Sequence, residues 1–544
     1  MKKMKKYLSM SLAVIMALAM AAPSFAEPGD DVVAPENPPV AEQTVHSPKT
    51  NITMDDQPED VTERVDYSYV AYKLLNASNG ASTGGKYDLY AYTVNPKYEN
   101  VLKAQLPENQ NDVIAYLATL ISENNEALRE YANKVYKAIK EANMEVDATS
   151  NQSKFENVDQ GYYLIADVTD FTAGSDDTNS LVMLDTAGKE DLSVKVKKDK
   201  PTVDKKIVDG ENEVDTSDAT RNEEINYRLT GTLPSDYATY ETYFYKFTDT
   251  LSKGLDFVSK AEEVVVKIGN NASNAVEITT TEENGPIVTI NDKDLTVEFK
   301  NLKKFQEITK DTKIFVEYKA KLNNEAVIGA PGNDNKVKLE YSNNPYSDGE
   351  GEKGTTPDKY VELLTFQLTI NKVNENENPL AGAGFTLSKK NGERWEILQV
   401  ISGVDEDGIV DESLTKFDFT QLGEGTYKIE ETTVPDGYNK ADDITFTIVA
   451  ETKQIESDTT KAEITKLELT DVKVGEKDIE NASTVLTVGK TEGGSISGVI
   501  NTTIKNVSGT KLPSTGGIGT TIFYAAGIIL MAGAVFFVVR RKRA

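Results

Sequence analysis

The feature that most constrains this 544-residue chain is the absence of cysteine from a sequence that opens with an export pattern. Lys2, Lys3, Lys5 and Lys6 precede an apolar run from Leu8 to Ala22, and Ser24-Phe25-Ala26 supplies the small residues that a signal peptidase reads. Cleavage is expected after Ala26. Proteins outside the cell commonly take their durability from disulfides; this one must take it from another source. The same absence removes cysteine nucleophiles, cysteine-ligated zinc and iron–sulfur clusters, and no cofactor is expected.

The single histidine, His46, lies in a proline-rich segment without apolar periodicity, so a catalytic triad or a histidine metal cluster has nothing to assemble from. With 59 Lys+Arg against 88 Asp+Glu, the net charge of −29 excludes nucleic acid as a partner, because phosphate neutralisation needs basic surface.

At the far end, Leu512-Pro513-Ser514-Thr515-Gly516 is followed by an apolar stretch from Ile518 to Val539 and by Arg540-Arg541-Lys542-Arg543. Such a stretch is long enough to cross a bilayer, with the basic tail held in the cytoplasm. Between the ends, residues 27–56 are rich in proline and acid and read as a flexible leader. A first domain is expected over 57–200, with helices between Asn111 and Asn143. There Val113, Leu117, Leu120 and Ile121, then Leu128, Tyr131, Val135, Ala138 and Ala142, recur at helical spacing.

A second domain, 201–350, alternates short β-rich runs with Asn-, Gly- and Asp-rich turns, a sandwich pattern. Residues 351–360 read as a Gly- and Asp-rich linker. Residues 361–508 read as another sandwich, and 509–544 as a terminal signal. The fold class is therefore mainly β: tandem immunoglobulin-like β-sandwiches, with helices inserted in the first domain. Gly161-Tyr162-Tyr163-Leu164-Ile165-Ala166-Asp167 and Gly425-Thr426-Tyr427-Lys428-Ile429-Glu430-Glu431 echo one another, and strand alternation puts each final acid on the face of the preceding tyrosine and isoleucine.

Three polar residues of the third domain share one apolar interior by this alternation: Lys372 with Leu368 and Ile370, Glu431 with Tyr427 and Ile429, and Asn506 with Ile504. Burial drives a lysine toward its neutral amine and a carboxyl toward its acid. A neutral amine is a nucleophile, and a protonated carboxyl can polarise a carboxamide while shuttling protons. The product would be a Lys–Asn amide formed once, with loss of ammonia. A buried ion pair beside a turn asparagine is the plainer alternative. Asp405-Glu406-Asp407-Gly408 reads as a hairpin turn rather than a calcium loop, and Trp395 as packing.

Tyr427-x-Ile429-x-Glu431-Thr432-x-x-Pro435-x-Gly437-Tyr438 is similar to the E-box of collagen-adhesin type B domains of Gram-positive pilins and adhesins. The resemblance implies that Glu431 promotes an isopeptide between Lys372 on the first strand and Asn506 on the last. The second domain resembles that of backbone pilins, which implies Lys205 as the amine and Asp249 as the acid. Its asparagine is Asn335 or Asn343, eight residues apart and so on one face, with Asn335 preferred.

The order of pentapeptide, apolar span and basic tail resembles the cell-wall sorting signal of Gram-positive surface proteins. It implies sortase cleavage between Thr515 and Gly516 and attachment to cell-wall peptidoglycan. In backbone pilins the attacking lysine lies in a V-x-V-Y-P-K motif between the first two domains. Here the junction reads Val194-Lys195-Val196-Lys197-Lys198-Asp199-Lys200, and the aligned position falls on Asp199, which leaves Lys198, Lys200 and Lys197 as candidates. The reading is a sortase-assembled major pilin, not an enzyme beyond its single-turnover crosslinking, with other pilin subunits as partners and a host surface ligand in adhesion. The alternative is a monomeric wall-anchored adhesin.

Overall fold

The computed structural model describes residues 49–56, 66–79, 90–123, 125–171, 177–196, 200–279, 284–346 and 353–509. The export pattern, the pentapeptide, the apolar stretch after it, Lys197 and Lys198 lie outside them. No helix among the described residues is long and apolar enough to cross a membrane.

In the first domain a five-stranded sheet is built on Tyr69–Asn79, flanked by Tyr90–Val94 and Gly161–Asp167, with Leu181–Asp185 beyond and Ala148–Thr149 paired to Tyr69–Asn79. Helices Val113–Glu123 and Asn125–Glu141 cover one face, packing Val135 and Ile139 near Leu74 and Leu164. A three-stranded sheet covers the other with Ile52, Met54 and Phe155. Gly161–Asp167 is buried along its whole length because both of its faces are covered.

Two expectations change here. The flexible leader ends too late, because Lys49–Asp55 is a strand between Lys154–Asp159 and Asp191–Lys195. Its Ile52 and Met54 alternate into the core, a two-residue signal lost among prolines and acids. Helix Asn125–Glu141 buries Tyr131, Ala132, Val135, Tyr136 and Ile139, while Ala142 falls past its end and is exposed.

The second domain is a sandwich of two seven-stranded sheets. One runs in the order Asn212–Val214, Val203–Asp209, Ile225–Gly231, Lys313–Leu322, Val265–Gly269, Val276–Glu277, with Leu255–Phe257 paired to Lys313–Leu322. The other contains Tyr245–Leu251 beside Asn333–Ser342, which pairs in turn with Lys359–Leu364. Lys353–Thr355 also joins this sheet. Residues 353–355 and 359–364, expected as linker and as the start of the third domain, are thus strands of the second. Val361 and Leu363 alternate into its core, and that burial outweighs the turn-forming composition upstream.

The third domain packs a four-stranded sheet against a six-stranded one. In the first, Phe366–Asn374 lies between Lys416–Leu422 and Ile496–Asn506, and runs parallel to the latter. The six-stranded sheet centres on Gly425–Thr433 and Ile444–Ile455. Asn343 O accepts from Asn179 N at 3.0 Å and the Tyr346 ring meets that of Tyr136 edge-on at 5.0 Å, joining the second domain to the first. Arg221 N donates to Gln421 O at 2.8 Å, and Thr365 Oγ1 donates to Ala219 O and Leu422 O, joining the second to the third.

Candidate functional site

In the third domain the parallel register pairs Lys372 with Ile504 and Asn374 with Asn506. Lys372 and Asn506 are therefore two places apart on one face, while Glu431 approaches from the opposite sheet. All three are buried. Asn506 Nδ2 donates to Glu431 Oε1 at 2.8 Å, Ala441 N donates to Glu431 Oε2 at 2.7 Å, and Lys372 Nζ lies 3.6 Å from Glu431 Oε1. Lys372 Nζ also donates to Ile504 O at 3.3 Å. Burial pulls the Lys372 ammonium below the usual lysine range, against the pull of Glu431. Asn506 Oδ1 is buried without a hydrogen-bond partner among the described residues.

The second domain holds the same three residue types in another arrangement. Lys205 comes from the sheet of Val203–Asp209, whereas Asp249 and Asn335 come from Tyr245–Leu251 and Asn333–Ser342 of the facing sheet. Lys205 Nζ donates to Asp249 Oδ2 and, at 2.9 Å, to the Tyr318 hydroxyl. That hydroxyl donates to Asp249 Oδ1 at 2.7 Å and accepts from Asn335 Nδ2 at 2.7 Å. The Tyr227 and Tyr318 rings stack at 5.4 Å, with Lys205 Nζ 5.5 and 5.4 Å from their centroids. Burial lowers the Lys205 ammonium to about 8, opposed by Asp249, and raises the Asp249 carboxyl, opposed by Lys205. Both shifts favour the neutral amine and the neutral acid. Asn335 Oδ1 has no partner among the described residues.

Alternation in the sequence thus leads to side chains that do meet: Lys372, Glu431 and Asn506 in one interior, Lys205, Asp249 and Asn335 in the other. Asn343 does not join them. Its Nδ2 donates to Asp177 O at 3.3 Å at the junction with the first domain. Tyr318 was missed, although Ile314, Val316, Tyr318, Ala320 and Leu322 alternate on one face and the tyrosine hydroxyl there needs a partner. Of the junction lysines, Lys200 Nζ lies 3.1 Å from Asp177 Oδ1. Asp167 Oδ1 accepts from Thr169 N at 3.0 Å and Thr169 Oγ1 at 2.5 Å, closing a turn. Gly408 N donates to Asp405 O at 3.1 Å within a turn, and Trp395 is exposed beneath Lys428 Nζ rather than packed in the core.

Fold and sites together define a β-sandwich protein with a buried lysine–acid–asparagine set in each of two domains. Residues 222–345 match the family model described as Gram-positive pilin backbone subunit 2, Cna-B-like domain. Residues 366–481 match a prealbumin-like fold domain, and residues 504–544 the LPXTG cell wall anchor motif. A trypsin-resistant surface T6 protein of Streptococcus pyogenes serotype M6 is 27% identical over 388 residues, covering 63% of this chain and 69% of that protein. The solved T6 backbone pilin of serotype M6 Streptococcus pyogenes, a modular three-domain structure, superposes with a TM-score of 0.50 at 16% identity, over 85% of this chain and 98% of that one. These matches give the chain pilin-backbone domains and an LPXTG anchor and make it similar to the T6 pilin, which marks it as a secreted, cell-wall-anchored pilus subunit.

Proposed function

We propose that this subunit is stabilised by two autocatalytic Lys–Asn isopeptide bonds, Lys205 to Asn335 promoted by Asp249 and Lys372 to Asn506 promoted by Glu431. It is then joined to its neighbours through the Thr515 carbonyl released by a sortase. The single observation that carries the reading is the burial of each lysine beside its acid and its asparagine, in a setting that favours the neutral amine. Each bond would tie the first part of a sandwich to its last, so that tension along the shaft passes through the bond rather than through the sheets. This supplies the durability that a cysteine-free extracellular chain otherwise lacks.

The relative named as trypsin-resistant supports the same reading, since a domain closed covalently opens rarely to protease. Neither site turns over, so the protein is a structural subunit and a sortase substrate rather than an enzyme. Peptidoglycan and other pilin subunits are its covalent partners, and a host surface ligand would be met in adhesion.

The test is intact mass of the purified chain together with a blot of wall extracts. Two ammonias missing from the mass, and a high-mass ladder that survives boiling in detergent, are expected. Full mass without branched tryptic peptides rejects the crosslinks; a single band rejects the polymer and favours a lone wall-anchored adhesin.

A further inference from the structure

The two sites differ in how the acid reaches the asparagine. In the third domain Glu431 accepts directly from Asn506 Nδ2 at 2.8 Å. In the second domain the Tyr318 hydroxyl stands between Asp249 Oδ1 and Asn335 Nδ2, 2.7 Å from each, while also accepting from Lys205 Nζ at 2.9 Å. One hydroxyl therefore touches the acid, the amine and the leaving nitrogen. A tyrosine hydroxyl is both donor and acceptor, which a relay requires.

We propose that Tyr318 is a catalytic residue of the second domain's crosslink, passing a proton from Asp249 to the departing amide nitrogen of Asn335. The inference rests on the crosslinking proposed above. The reaction starts from neutral Lys205 and protonated Asp249. Lys205 Nζ attacks Asn335 Cγ, forming the new C–N bond. The nitrogen that has attacked sheds one proton to Asp249 Oδ2, the oxygen it already touches. The proton on Oδ1 passes to the Tyr318 oxygen as the tyrosine's own hydrogen turns to Nδ2. The Cγ–Nδ2 bond breaks, ammonia leaves, and Asp249 and Tyr318 end in the protonation states in which they began.

The relay uses no water: Lys205, Asp249, Asn335 and Tyr318 are all buried, and Tyr227 stacks on Tyr318. Direct contact makes such a hydroxyl unnecessary in the third domain. The two bonds in one chain are therefore an experiment and its control.

The experiment follows the first folding of the full mature chain carrying Tyr318→Phe, synthesised directly into denaturant before any crosslink can form and then diluted from it, with branched tryptic peptides quantified over time. The Lys205–Asn335 branch is expected to form about a hundredfold more slowly, a usual loss for a proton-transfer group, while the Lys372–Asn506 branch forms at the wild-type rate. Equal rates for the Lys205–Asn335 branch in variant and wild type overturn the proposal. Absence of both branches from wild type instead overturns the crosslinking reading itself. Should the second domain of Tyr318→Phe fail to fold, as read by near-ultraviolet circular dichroism against Asp249→Ala, wild-type chain synthesised into denaturant in the same way is folded for the first time in heavy water. A larger slowing of the Lys205–Asn335 branch than of the Lys372–Asn506 branch supports the relay, and equal slowing overturns it.

Discussion

Lys372 and Asn506 stand on neighbouring parallel strands, two register places apart, and project from the same face of one sheet. Their partner Glu431 comes from the other sheet. The second domain reverses this, with the lysine alone on one sheet and both acid and asparagine on the other. One bond would staple strands within a sheet, and the other would staple sheet to sheet.

Removing either acid should restore the mass of one ammonia. Glu431→Ala loses only the third-domain branch and Asp249→Ala only that of the second, as read by intact mass and tryptic mapping. Each bond closes a loop of roughly a hundred residues or more, worth about 4–5 kcal/mol on the disulfide analogy. The affected domain should therefore melt well below the wild type in calorimetry.

The two asparagines of the second domain should separate cleanly. Asn335→Ala abolishes the Lys205 branch. Asn343→Ala keeps it and loses the hydrogen bond to Asp177 O at the first-domain junction, at a cost of about 1 kcal/mol. Mass spectrometry reports the first effect, and limited proteolysis between the domains reports the second.

Among the junction lysines, Lys200 is held by Asp177 at 3.1 Å and would have to leave it to attack an acyl-enzyme. Lys200→Ala is expected to preserve the polymer ladder on a blot and to cost about 0.5–1 kcal/mol, as a partly exposed ion pair does. Loss of the ladder in that variant would identify Lys200 as the attacking amine.

The joint between the second and third domains should weaken as pH rises. Burial, reinforced by Asp334, Asp215 and Asp458, pushes the Glu362 carboxyl up to about 7, although Gln454 Nε2 donates to it at 3.2 Å. Burial likewise raises Asp218, next to Glu424, to about 6. A raised carboxyl means that the folded state holds the proton through a range where the unfolded state has lost it. The stability is full below about pH 4.5 and falls as pH rises toward 7, by on the order of 2–3 kcal/mol for Glu362. Thermal midpoints measured from pH 4.5 to 8 should show this decline, and Glu362→Gln should flatten the part due to Glu362.

Period-two alternation made much of the two lysine–acid–asparagine sets legible, because strand geometry forces Lys372, Glu431 and Asn506 toward an interior whatever the topology. The same rule left Asn335 and Asn343 equivalent, since eight residues is a whole number of strand repeats. It also passed over Tyr318, whose hydrophobic ring satisfies the pattern without drawing notice to the hydroxyl. The strand Lys49–Asp55 offered too few apolar positions to stand out, and Lys359–Leu364 was masked by the composition of the segment before it.

Local order in the chain was enough to establish export, the absence of disulfides, the sandwich class and the residue types available for chemistry, since those depend on composition and on short-range periodicity. Which asparagine faces which lysine, whether acid and amide touch directly or through a phenol, and where one domain stops were decided by the packing of sheets. Contacts between residues a hundred positions apart follow from strand order and register, which a one-dimensional pattern does not encode.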